Sequence, residues 1–200
     1  MIAYASRTGT KRNLDVLRRA GWRLMISATG VWRTEGFTYA IDNGAWTAYQ
    51  RGAAFDARAF SGLVDRLGPG ADWIVVPDIV GAGRKSLEFS LTWLPQLRGI
   101  APLLIAVQDG MAQADIADLV GPGTGIFIGG LDDFKEQTAA QWGVLARESL
   151  CYLHMGRVNS ARRIKIAQSA GCDSFDGSSV SRFAVTLAPL DAARRQRMLI

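Results

Sequence analysis

The chain has 200 residues, 48% of them apolar and 20% charged, which excludes a disordered or fibrous chain and leaves room for one buried core without calling for a second domain. Lys and Arg number 23 against 18 Asp and Glu, and this net charge of +5 points toward a polyanionic partner without requiring one. No apolar run approaches the ~20 residues that span a bilayer, and the opening residues lack the apolar core of a signal peptide, so a cytoplasmic protein with no membrane association is expected.

Taken in order, apolar runs alternate with amphipathic segments. Residues 2–5 form a first strand, and Thr10 can cap a helix that runs to about Ala20 before Gly21 stops it. Residues 23–27 and 37–41 are strands two and three, the latter running into Asp42-Asn43-Gly44-Ala45-Trp46. Residues 56–67 have helical spacing through Phe60, Leu63, Val64 and Leu67. Residues 73–76 form a buried-type strand ending at Pro77-Asp78, followed by a helix over 84–97. A strand over 103–107 ends at Gln108-Asp109-Gly110, a short helix is expected over 113–120, and residues 125–128 lead to Gly129-Gly130. A helix over 134–148 precedes a strand over 151–153 that ends in His154-Met155-Gly156. A basic helix over 160–170, a strand over 173–175 ending at Asp176, and a last helix over 182–198, kinked near Pro189, complete the chain.

The strand candidates number eight, are continuously apolar rather than alternating, and are separated mostly by helices. That pattern predicts a parallel sheet covered on both faces, and eight units predict a closed (β/α)8 TIM-type barrel in one domain over residues 1–200, with an open doubly wound sheet as the alternative.

In a barrel, the residues that follow each strand face one another across a single mouth. Here they are Asp42, Asp78, Gln108, Gly129 and Gly130, His154-Met155-Gly156, and Asp176. Taken alone, Asp176 is better read as turning the chain or capping a helix. Three carboxylates, an amide and bare glycine backbone together suit the edge of a flat heterocycle, and Trp46 and Met155 offer surfaces to sandwich a ring. Cys151 and Cys172 give no disulfide framework, and with His154 they lack a fourth ligand, so neither metal nor cofactor is expected.

Six segments, in order, resemble the tRNA-guanine transglycosylases. Asp42-Asn43-Gly44-Ala45-Trp46 resembles that family's D-S-G-G-(F/Y), Val76-Pro77-Asp78 its second aspartate, and Val107-Gln108-Asp109-Gly110 its V-Q-G. Ile128-Gly129-Gly130-Leu131 is similar to G-G-L, Leu153-His154-Met155-Gly156-Arg157 to L-M-G-V-G, and residues 175–182 to F-D-x-x-x-P-T-R. The resemblance implies that Asp176 is a nucleophile toward C1′ of a guanine nucleotide and Asp42 the group that moves protons on departing and arriving bases. It implies further that Asp78, Gln108, Gly129 and Gly130 hold the base edge between Trp46 and Met155. Two displacements through a covalent glycosyl-enzyme do need one ionised carboxylate and a second proton-handling group.

The chain departs from the pattern in three ways. No cysteine or histidine follows Asp176 to build the family's zinc subdomain, Val180 stands for the motif proline, and Ala45 for a glycine. It is also far shorter than the tRNA enzymes, and is closer in character to the related proteins of phages and genomic islands that place 7-deazaguanines in DNA. The implied partners are therefore a polynucleotide, DNA in preference to tRNA, and a free 7-deazaguanine such as preQ0 or guanine. A homodimer or a partner protein is left open. Arg157, Arg162, Arg163 and Arg182 are the candidate phosphate contacts, since the guanidinium fork suits phosphate. Two other readings use the same residues: a small-molecule barrel enzyme such as an N-glycoside hydrolase or aldolase, and a catalytically silent nucleic-acid-binding barrel.

Overall fold

The computed structural model describes residues 1–7 and 10–196. Its eight strands are β1 (Ile2–Ser6), β2 (Arg23–Ser27), β3 (Tyr39–Asp42), β4 (Ile74–Val75), β5 (Leu103–Val107), β6 (Thr124–Ile128), β7 (Leu153–Met155) and β8 (Ser174–Gly177). All pair in parallel with their sequence neighbours. β1 also pairs with β8, in the register Ile2 to Ser174 and Tyr4 to Asp176, closing the (β/α)8 barrel.

The absence of polar alternation in the strands has a direct cause, because both faces of every strand are buried. One face fills the barrel, where Tyr4, Met25, Ala40, Trp73, Val75, Leu104 and Ala106 pack together with Phe127 and Tyr152. The other face meets the helices, and Ile41, Ile105, Ile126, Leu153, Met155 and Phe175 belong to that larger sheath. Below the filling, Tyr4 donates from its hydroxyl to Asp72 Oδ2 at 2.8 Å and Arg23 to the same oxygen at 2.9 Å, closing the base of the barrel.

The helices are α1 (Lys11–Arg19), α2 (Ala45–Gln50), α3 (Ala57–Leu67), α4 (Arg84–Leu97), α5 (Asp132–Glu148), α6 (Ala161–Ser169), α7 (Ser179–Arg182) and α8 (Leu187–Arg195). Thr10, Asp56 and Ser160 cap α1, α3 and α6 through their side-chain oxygens, the first as the sequence predicts. Four expectations change. α2 is an additional helix that follows Gly44, whose φ of 87° only glycine adopts readily. The helix expected over 113–120 is reduced to a 3-10 turn at Gln113–Asp115, because Asp115 folds back to accept from Ala112 N–H at 2.8 Å and Ile116 and Leu119 continue in i→i+3 bonds. β7 lies two residues later than expected. The final helix is broken between Arg182 and Leu187 rather than at Pro189, which sits in the first turn of α8 where its missing N–H costs nothing; the predicted extension to Met198, with Arg197, lies outside the described residues.

Helix α5 approaches the end of α6 so closely that a Cβ at Gly143 would lie 1.9 Å from the carbonyl oxygen of Ala170. Alanine normally favours a helix by about 1 kcal/mol over glycine. Here the backbone must move, and Gly143→Ala is expected to cost about 2 kcal/mol net, lowering Tm by roughly 4–8 °C. A thermal melt with an unchanged midpoint would contradict the tight contact.

Candidate active site

The C-terminal ends of the strands surround a cavity of about 710 Å³. Asp42 at the end of β3, Asp78 after β4, Gln108 after β5, Gly129 and Gly130 after β6, Arg157 after β7 and Asp176 on β8 all line it, with Trp46 from α2 and Arg163 and Arg182 at the rim. The carboxylates Asp42 and Asp176 therefore open into one space, which follows from their shared inward parity on strands of the same barrel.

Asp78 is buried, and each of its oxygens takes an amide donor: Asn43 Nδ2 donates to Oδ1 at 2.6 Å and Gln108 Nε2 to Oδ2 at 2.5 Å. Asn43 also donates to the Val76 carbonyl at 2.9 Å and accepts from Ala45 N–H at 2.8 Å, so it ties the turn after β3 to the end of β4. Gln108 uses its other end as well, accepting from Gly81 N–H at 3.0 Å. Gln108 is thus a clamp on Asp78 with its carbonyl end engaged. Burial pushes Asp78 up to about 7, the charge of Asp42 adds to the rise, and the two amides pull it back. Asp42 is pushed up to about 6, first by burial and then by Asp176, against donors at Ser27 and Gly44.

The glycines after β6 are set by close approach. A Cβ on Gly129 would fall 2.8 Å from Gln108 Nε2, and one on Gly130 would fall 2.6 Å from Asp109 Oδ2 and 2.7 Å from Phe134. The Gly130 carbonyl accepts from the Arg157 guanidinium, so its backbone is in part already engaged. Arg157 has a left-handed backbone with φ 57°, its N–H donates to Asp176 Oδ1 at 3.1 Å, and its guanidinium lies 3.6 Å over the Trp46 ring. The preceding peptide is fixed by Lys135 of α5, which is fully buried and donates to the Gly156 carbonyl at 3.0 Å. Burial, with the charge of Arg157, lowers Lys135 to about 8.

Two sequence-derived residues fall elsewhere. Met155 is fully buried in the sheath and does not reach the cavity, because β7 extends through it and strand alternation turns it away from the barrel axis. Apolar surface in the cavity comes from Phe127, Val75 and Met25 instead. Arg162 lies on the outer face and pairs with Glu136 at 2.6 Å. Arg163 reaches the rim but is held by Asp132 at 2.6 Å and Glu136 at 2.9 Å, so its charge is largely spent inside the protein. Arg182 is exposed and has no ion pair or hydrogen bond from its side chain among the described residues.

Sequence reasoning missed Asn43 and Phe127, and it set His154 at the mouth without giving it a role. The same alternation that removes Met155 turns His154 inward, where Nε2 lies 3.1 Å from Asp176 Oδ1 and Nδ1 lies 2.7 Å from Ser174 Oγ. Cys151 and Cys172 lie in the sheath, with burial raising both thiols, Cys172 to about 12, so they do not converge with His154. Among the described residues no group of three or more His, Cys, Asp or Glu could hold a metal, and no helix is long and apolar enough to cross a membrane.

Fold and site together define a (β/α)8 barrel with a polar cavity at the catalytic end that such barrels use. Comparison with protein-family models finds no match, and comparison with curated proteins finds none. Among solved structures the chain is similar to dihydrodipicolinate synthase from Oceanobacillus iheyensis, with a TM-score of 0.52 and 19% identity over 96% of this chain and 72% of that one. At that identity the likeness shows the barrel alone.

Proposed function

We propose that the chain is a base-exchange transglycosylase that replaces guanine in a polynucleotide, DNA in preference to tRNA, with a 7-deazaguanine such as preQ0. The observation that carries this reading is that Asp42 and Asp176 open into one cavity beside Asp78, whose two oxygens are fixed by amides. The segments that resemble the transglycosylases supply 11 of the 26 residues that line it, Asp42, Asp78 and Asp176 among them. A target base must leave its stack to enter such a cavity, which then offers Trp46 and Phe127 as aromatic surface.

In the first half-reaction an oxygen of Asp176 forms a bond to C1′ while the electron pair of the glycosidic bond leaves with guanine, which takes a proton from Asp42. In the second, the incoming deazaguanine gives its proton to Asp42 and bonds C1′, and the pair of the ester bond returns to Asp176. Configuration is retained over two inversions. Asp42, at about 6, is divided between acid and base near neutral pH, as both halves require. The reading is tested by exchange of labelled guanine into DNA and tRNA, and by nucleoside analysis of both from cells that express the protein; no exchange and no modified nucleoside in either would overturn it.

Strand binding should depend on Arg182, the one rim arginine with no internal partner among the described residues. Arg182→Ala is expected to weaken polynucleotide binding and to reduce the slope of log affinity against log salt by about 1, leaving the fold unchanged because the side chain is exposed. Arg162→Ala, already paired with Glu136, should do less. Equal salt slopes in Arg182→Ala and the parent would refute the contact.

A further inference from the structure

His154 has no part in base exchange as written above, yet it is the most confined polar group beside the cavity. It is fully buried, and it is the chain's one histidine. Its ring stacks on Phe127 at 4.8 Å and 19°, with Trp73 at 4.7 Å and Tyr4 at 5.9 Å on other sides. Such a box removes the ring's freedom to turn, and each nitrogen has one partner, Ser174 Oγ at Nδ1 and Asp176 Oδ1 at Nε2.

The chemistry of those partners fixes the proton. Burial holds the imidazole below its ordinary pKa, against the pull of Asp176. The other titratable groups around it are Tyr4 on β1, whose phenol burial keeps protonated, and Tyr152 just before β7, raised in the same way. A neutral imidazole has a single donor, and a carboxylate oxygen only accepts. The proton therefore sits on Nε2, and Nδ1 accepts from the Ser174 hydroxyl. Arg157 N–H donates to the same oxygen, Oδ1, at 3.1 Å, while Oδ2 of Asp176 takes no hydrogen bond among the described residues.

We propose that His154 is a positioning residue for Asp176: together with the Arg157 N–H it pins Oδ1, leaving Oδ2 as the atom that bonds C1′. The chemical half of this inference rests on the base-exchange reading; the pinning does not. A neutral donor orients the carboxylate without the charge pairing by which an imidazolium would blunt it. When Oδ2 becomes the ester oxygen, Oδ1 becomes the ester carbonyl, still facing both donors. Those donors then stabilise the charge that returns to Asp176 as the C1′–Oδ2 pair comes back in the second half-reaction. His154 gives up no proton in either half.

The single histidine makes the test direct. With ¹⁵N-labelled histidine, long-range ¹H–¹⁵N spectra of the free protein are expected to show the Nε2–H tautomer between pH 6 and 8, with ring-nitrogen signals that move in Asp176→Asn. An Nδ1–H tautomer, an imidazolium across that range, or signals indifferent to Asp176→Asn would overturn the pinning. In single-turnover guanine release, His154→Leu, which keeps the box apolar, is expected to lower the rate about 100-fold with KM little changed, and His154→Gln, which keeps an N–H donor, to recover most of the loss. A His154→Leu protein as fast as the parent would refute the positioning role while base exchange stands. If the parent releases no guanine, the base-exchange reading falls, and the nitrogen signals alone decide whether Oδ1 is pinned.

Discussion

Asp176→Asn is expected to abolish both guanine release and base exchange, a loss on the order of 10⁴–10⁶-fold as for the removal of other enzymatic nucleophiles. The substitution conserves volume and leaves an oxygen to accept from His154 and the Arg157 N–H, so the barrel and the cavity should survive it. What disappears is the anionic oxygen, and a neutral amide does not attack a sugar carbon at a useful rate. The measurement is labelled-guanine exchange into DNA and into tRNA, with a denaturing gel to detect the covalent protein–strand adduct. Exchange at the parental rate, or an adduct in the variant, would end the assignment of Asp176.

Asp42→Asn should leave strand binding intact and lower guanine release about 10²–10⁴-fold, the usual range for a lost general acid. The pH profile identifies the group. Release needs Asp42 protonated, so in the parent it should fall as pH rises through about 6, and that limb should be missing in Asp42→Asn. Stability falls with rising pH as release does, but the substitution moves the two apart. Because the folded carboxyl is raised above its unfolded value of 3.8, the native state holds the proton more tightly than the unfolded chain between those two values. Stability contributed by the neutral carboxyl is present below 3.8, is lost as pH rises to about 6, and stays lost above that. At pH 8 an asparagine removes the penalty of a confined charge, and the variant should be more stable by on the order of 2 kcal/mol. A variant that is inactive and also less stable at pH 8 would point to misfolding rather than a lost acid.

The barrel was legible because each strand is an apolar run that ends at a polar or glycine punctuation, and parallel strands buried on both faces read that way. The mouth was legible for the same reason: Asp42, Asp78, Gln108 and Asp176 stand at those ends. What was hidden was parity. Around β7 the run Cys151-Tyr152-Leu153-His154-Met155 carries large, mostly apolar side chains on both faces, so its composition does not say which residues face the axis, and a strand end read two residues early let Met155 count with His154 as a mouth residue. Tyr152, which packs with the barrel filling, carries the missing phase, since residues two apart share a face. Asn43 was hidden differently: its role is a bond to Asp78 that lies 35 residues away, and no local pattern encodes such a pairing. The expected helix over 113–120 gave way to local bonding, Asp115 folding back onto the Ala112 N–H while Ile116 and Leu119 continue in i→i+3 bonds.

The guanidinium of Arg157 over Trp46 bears on the order in which substrates arrive. The indole face is already occupied by a flat cation, so a ring that stacks there must evict it, and binding becomes an exchange of neighbours rather than the filling of a vacancy. With the Arg157 side chain 25% exposed, the cation–π contact is worth about 1 kcal/mol, which lowers the apparent affinity for a lone base roughly fivefold. A nucleotide within a strand brings phosphates that can receive the displaced guanidinium, whereas a free deazaguanine brings none. In the proposed exchange the resting protein would thereby engage the strand first and admit the free base only once Arg157 has been drawn away, an order of arrival written into one stacked pair.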